Sequence, residues 1–182
     1  MKPYKFSPIE NKEQLIEAIK YTHLKCFELC KKNFGRYLSV AGNIGIFCNY
    51  DHEYEFLTKL REELTDKFDN WNQKYYRLHE PIVIPAQGDM PTATYTYLYI
   101  RKPDQHEEVG DVDFVLNEKE YDELKNSLLG GKKIEGVEIF DRPELDLIRL
   151  FDVNSDVLSF VGTEDINESV KNKIVLEEKL LN

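Results

Sequence analysis

The chain contains no apolar run near the ~20 residues needed to span a bilayer. Its opening stretch, Met1-Lys2-Pro3-Tyr4-Lys5-Phe6-Ser7, is charged but has no apolar h-region. The expectation is a soluble protein with neither a membrane span nor a secretory leader. Cysteine is scarce, with only Cys26, Cys30 and Cys48. An odd, low count without a leader points to reduced thiols in a cytoplasm rather than to a disulfide framework. Positive charge is also short: 24 basic side chains face 34 acidic ones, a net charge of −10. The densest basic runs, Lys31-Lys32 followed by Arg36, and Lys132-Lys133, are too short to line a groove. An acidic surface repels phosphate backbones, so nonspecific nucleic-acid binding is disfavoured.

Catalytic signatures are missing as well. There is no Gly-x-Ser-x-Gly elbow, no Gly-x-x-x-x-Gly-Lys phosphate loop, no internal repeat and no low-complexity segment. Ala41-Gly42-Asn43-Ile44-Gly45 is not a dinucleotide fingerprint, because its glycines fall inside a strand pattern and the third is absent. Glycines so placed mark a bulge or a close backbone approach.

What remains is an ordinary globular composition, 41% hydrophobic and 32% charged over 182 residues. That length suits one domain, 1–182, with a sizeable core. Periodicity predicts a helix over 11–32, with Ile16, Ile19, His23, Cys26, Phe27 and Cys30 on one stripe and Asn11 with Gln14 as its cap. A buried strand with a glycine irregularity follows at 37–48, then a helix at 52–67 capped by Asp51. Residues 69–72 have loop chemistry, and strands are expected at 76–84, 93–101 and 111–116. Asn117 with Glu120 opens a helix at 118–129, ended by Gly130-Gly131. Further strands fall at 136–140 and 157–161, and a terminal helix at 164–181; residues 145–151 fit a strand or a helix.

The order is α-β-α-β-β-β-α-β-β-(β)-α. Strands come in runs instead of alternating with helices, so the fold class is α+β: a mixed, mostly antiparallel sheet with helices packed on one face.

Two features carry chemistry. On a strand, residues two apart share a face. Alternation therefore puts Tyr95, Tyr97, Tyr99 and Arg101 together, with Thr94, Thr96, Leu98 and Ile100 opposite. Such a row offers a stacking platform for a flat ligand, each ring with a hydrogen-bonding tip. Asp111 and Asp113 likewise share a face, a spacing able to hold a divalent cation. Glu80 and Asp89 are the nearest candidates to complete a metal shell. The plain alternative for the two aspartates is a solvent-facing pair on an edge strand, with Asp111 fixing the turn after Gly110.

Weaker constellations read as structure. His23, Cys26 and Cys30 coincide with the apolar helix stripe and read as core rather than as zinc ligands. Cys48 and His52 are near neighbours in sequence only.

Two functions fit. The first is a soluble acidic binding protein that meets an unidentified protein or small-molecule partner with its aromatic sheet face. The second is a divalent-metal enzyme acting on a nucleotide or other phosphate-bearing small molecule. There Mg²⁺ or Mn²⁺ would be the cofactor, and Arg101 or Lys102 would contact phosphate.

Overall fold

The computed structural model describes residues 6–67, 74–103, 107–142 and 145–172. The loop expected at 69–72 and the helix expected beyond 172 lie outside the described residues. In chain order the elements are α1 (Lys12–Phe34), β1 (Ser39–Phe47), α2 (Asp51–Leu64), β2 (Tyr76–Ile84), β3 (Ala93–Arg101), β4 (Gly110–Val115) and α3 (Glu118–Leu129). They continue with β5 (Val137–Arg142), β6 (Leu145–Leu150), β7 (Leu158–Gly162) and α4 (Glu164–Lys171). The ambiguous 145–151 segment is a strand.

Local chemistry explains most boundaries. Asn11 Oδ1 accepts the Gln14 N–H at 2.8 Å, and the Gln14 side chain accepts the Glu10 N–H at 2.7 Å. Two otherwise orphaned donors at the start of α1 are thereby satisfied. Its far end stops at Gly35, whose N–H returns to the Lys31 carbonyl at 2.8 Å. Asn117 caps α3 in the same way, accepting from the Glu120 N–H at 3.0 Å. Asp51 does not cap α2. It is the first helical residue, and the cap position falls on Tyr50, which makes no side-chain cap bond.

The strands form one mixed sheet in the order β2-β3-β1-β4-β7-β6-β5. Pairs β1/β3 and β4/β7 are parallel; the other four are antiparallel. The α+β class with a mostly antiparallel sheet holds. Two similar halves meet at the centre. In each, a central strand (β1 or β4) leads through a helix to the sheet edge, and the chain returns to pair parallel with that central strand. The halves join through the antiparallel pair β1/β4.

One sheet face is covered by the main core. Leu15, Ile19, Cys26 and Phe27 of α1 and Leu57 of α2 bury there against Ile44, Ile46, Leu98, Val112, Phe114 and Val161. Each such side chain contributes about 1.5–3 kcal/mol by leaving water. The opposite face carries a smaller cluster, Tyr75, Leu147 and Val170, with Tyr97, Tyr99, Phe140 and Phe160 packed against it. Because α4 supplies Val170, the helices are not confined to one face. The short α4 folds back from the end of β7 and covers part of the second.

Candidate functional site

The second face buries two carboxylates side by side at the centre of the sheet. Its geometry starts at the central pair. Gly45 of β1 lies opposite Asp111 of β4. The same register puts Asn43 across from Asp113, and the Asn43 amide Nδ2 donates to Asp113 Oδ2. Both aspartates are nearly inaccessible, Asp111 at 3% and Asp113 at 2% exposed. They are therefore not a solvent-facing edge pair. Sequence cannot report that β4 is central, because its neighbours β1 and β7 come from distant parts of the chain.

Burial raises the pKa of both carboxyls, since removing a charge from water favours the neutral acid. Asp113 rises to about 7, with the negative charge of Asp111 adding to the burial effect. Lys74, the hydrogen bond from Asn43 and Lys171 oppose that rise. Asp111 is also raised by burial; Lys74, Arg101 and the backbone N–H of Gly45 hold it down. Asp113 Oδ1 and Asn43 Oδ1 are buried and have no hydrogen-bond partner among the described residues.

Aromatic rings with cations above them rim this floor. The Lys74 ammonium lies 4.4 Å from the Tyr99 ring centre and 5.1 Å from that of Tyr75. Arg101 sits 4.7 Å from the Phe47 ring centre, and Lys171 sits 5.5 Å from that of Tyr97. Lys171 also pairs with Glu168 at 2.7 Å. The Tyr75 phenol, buried beside both aspartates, is held well above its ordinary pKa. Tyr97, Tyr99 and Arg101 remain half-buried, so part of each is available to a ligand.

Five of the sequence-predicted residues thus come together: Tyr97, Tyr99, Arg101, Asp111 and Asp113. Tyr95 does not join them. Along β3 the buried positions run Ala93, Tyr95, then Leu98 and Ile100, so alternation slips by one residue between Tyr95 and Leu98. At this point β1 is also irregular: its register with β4 shifts between Val40 and Ile44, and Gly42 has φ +90°. Bulges of this kind turn following side chains to the other face. Tyr95 consequently enters the main core, where its hydroxyl meets His23 Nδ1 at 2.8 Å.

Glu80 and Asp89 do not complete a metal shell here. Glu80 is exposed on edge strand β2, and Asp89 pairs with Lys31 of α1 and lies 3.4 Å from the Tyr37 hydroxyl. Edge strand β2 and the loop that follows it hold them away from the β1/β4 centre. Among the described residues no three His, Cys, Asp or Glu side chains converge as metal ligands.

His23, Cys26 and Cys30 are buried in the core, with Cys26 Sγ 3.3 Å from the Leu158 carbonyl. Cys48 is also buried, which pushes its thiol far above the usual range and away from nucleophilic chemistry. His52 is exposed and stacks on Tyr50 at 5.4 Å.

Asn43, Gly45, Phe47, Lys74, Tyr75 and Lys171 were missed. A signal existed for the first two: a polar residue and a glycine two apart inside an otherwise apolar strand. Lys74, Tyr75 and Lys171 gave none, because tertiary folding alone brings them to the sheet. Compared with protein-family models, with curated proteins and with solved structures, the chain matches none of them.

Proposed function

We propose that this chain is a binding protein that seats a small, flat ligand on the second sheet face. Tyr97 and Tyr99 would contact the ligand's planar part and Arg101 its edge. The observation carrying this reading is the combination of half-buried aromatic rings with a buried acid pair at their centre. Buried polar groups are ordinarily hydrogen-bonded, so unpartnered acceptor oxygens beneath a ring platform are what a ligand's donors would satisfy. Aromatic platforms with a few convergent polar groups are the usual make-up of a ligand site.

The enzymatic reading loses its main support, because Glu80 and Asp89 lie away from the aspartate pair. Cys48 lies deep in the core, its thiol raised by burial.

The test is a thermal-shift screen of nucleosides, aromatic amines and other planar metabolites, in buffer with a chelator. A ligand bound only by the folded protein raises the melting temperature by mass action, about 2.7 kcal/mol at a hundredfold excess over Kd. Hits should lose their effect in Tyr99→Leu and Tyr97→Leu. Hits that stabilise both variants as well as wild type would place the ligand elsewhere and defeat the assignment.

A further inference from the structure

Four positions form a rectangle at the sheet centre: Asn43 and Gly45 on β1, Asp113 and Asp111 on β4. Gly45 faces Asp111, and Asn43 bonds Asp113. Three corners carry side-chain oxygens and the fourth carries no side chain. Directly opposed residues on an antiparallel pair have Cβ atoms about 4.5–5.5 Å apart, and diagonal ones about 7–8 Å. The Asp111 carboxylate leans into the space that glycine leaves, so the three oxygen-bearing groups crowd one stretch of the β1/β4 pair.

We propose that Asn43 Oδ1, Asp113 Oδ1 and the Asp111 carboxylate form a divalent-cation site selective for Mg²⁺, Mn²⁺ or Ca²⁺. This inference extends the binding face described above, and rests on it for its functional meaning but not for its geometry. Both Asn43 Oδ1 and Asp113 Oδ1 are buried without a partner, and the residues bearing them are 1% and 2% exposed. All the donors are hard oxygens, which suit Mg²⁺, Mn²⁺ and Ca²⁺; Zn²⁺ prefers nitrogen and sulfur. Three cationic side chains stand nearby, and Lys74 acts on both carboxylates. They compete with an added ion, so the site is weak and Lys74 is its chief competitor.

The experiment is a melting series with 10 mM MgCl₂, MnCl₂, CaCl₂ or ZnCl₂ against NaCl of equal ionic strength. A millimolar site raises the midpoint by about 2–4 °C for the first three salts. That rise should vanish in Asp113→Asn, grow in Asn43→Asp, and grow in Lys74→Gln as competition is relieved. No rise above the NaCl control, a rise with Zn²⁺ alone, or a rise that persists in Asp113→Asn overturns the proposal. Should a variant fail to fold, Mn²⁺ titration of wild type followed by electron paramagnetic resonance decides. One bound Mn²⁺ per chain that Ca²⁺ displaces supports the site; zero bound ions overturn it. Tyr99→Leu separates the two readings, because it should abolish the planar-ligand response in chelator while leaving the ion response intact.

Discussion

The carboxylate of Asp111 fills the space where Gly45 would carry a side chain: a Cβ on Gly45 would lie 2.0 Å from Asp111 Oδ1. Real atoms do not approach so closely, and the Phe47 ring, 3.2 Å from the same point, limits escape. Gly45→Ala should therefore destabilise by about 1–3 kcal/mol, the usual cost of overpacking. Urea unfolding measures it. Adding Asp111→Ala should recover part of the loss, since contacting residues are energetically coupled. Strict additivity in the double variant would contradict the contact.

The buried aspartates and the buried His23 imidazole pull the pH dependence in opposite directions. Asp113 rises from 3.8 unfolded to about 7 folded. Between those values the folded state holds the extra proton, so this group's contribution is full below about 4 and is lost as pH rises to 7. Burial lowers His23 from 6.5 to about 4. Its contribution is full above 6.5 and is lost as pH falls toward 4. Wild-type, metal-free protein should show a shallow profile between pH 4 and 6.5. Relative to wild type, Asp113→Asn should tilt the profile toward stability rising with pH over that window, with Asp111 still opposing, and His23→Gln should tilt it toward falling. Denaturant midpoints at several pH values check both, and matching slopes in the two variants would refute the assignment.

Tyr95 is a core residue rather than a ligand contact. Its hydroxyl bonds the buried His23 ring at 2.8 Å. Tyr95→Phe should cost about 1–2 kcal/mol, the range for one buried hydrogen bond whose partner is left unsatisfied. The same change should leave ligand and cation responses on the other face unaltered. An altered response at constant fold would return Tyr95 to the site.

Glu53, 1% exposed in the first turn of α2, anchors the segment before α1. It accepts from Ser7 Oγ at 2.5 Å and from the Ile9 and Asn49 N–H groups, each at 2.8 Å. Hydrogen bonds to a charged group are worth about 1.5–3 kcal/mol. Glu53→Ala should cost at least one such bond, and hydrogen exchange should accelerate at Ile9 and Asn49. Unchanged protection there would show that the anchor is dispensable.

Much of this architecture was legible from local sequence. Alternation located β2, β3 and β4 within a residue or so, and Asn11 and Asn117 marked helix starts because caps are short-range chemistry. The pairing of Asp111 with Asp113 on one face also followed from period-2 geometry alone. Less visible was the slip in β3, since alternation assumes a regular strand and cannot register a bulge before pairing is known. An exposed edge pair was the plainer reading of the aspartates, and only the position of β4 between β1 and β7 buries them.

Composition, element positions and the shared face of the two aspartates were thus set by sequence, through interactions spanning only a few residues. Tertiary structure decided that β1 and β4 meet at the centre, that Tyr95 turns inward, and that Asn43, Lys74 and Lys171 gather round the acid pair. It did so because strand neighbours, burial and charge compensation depend on segments far apart in the chain, which only the folded sheet brings together.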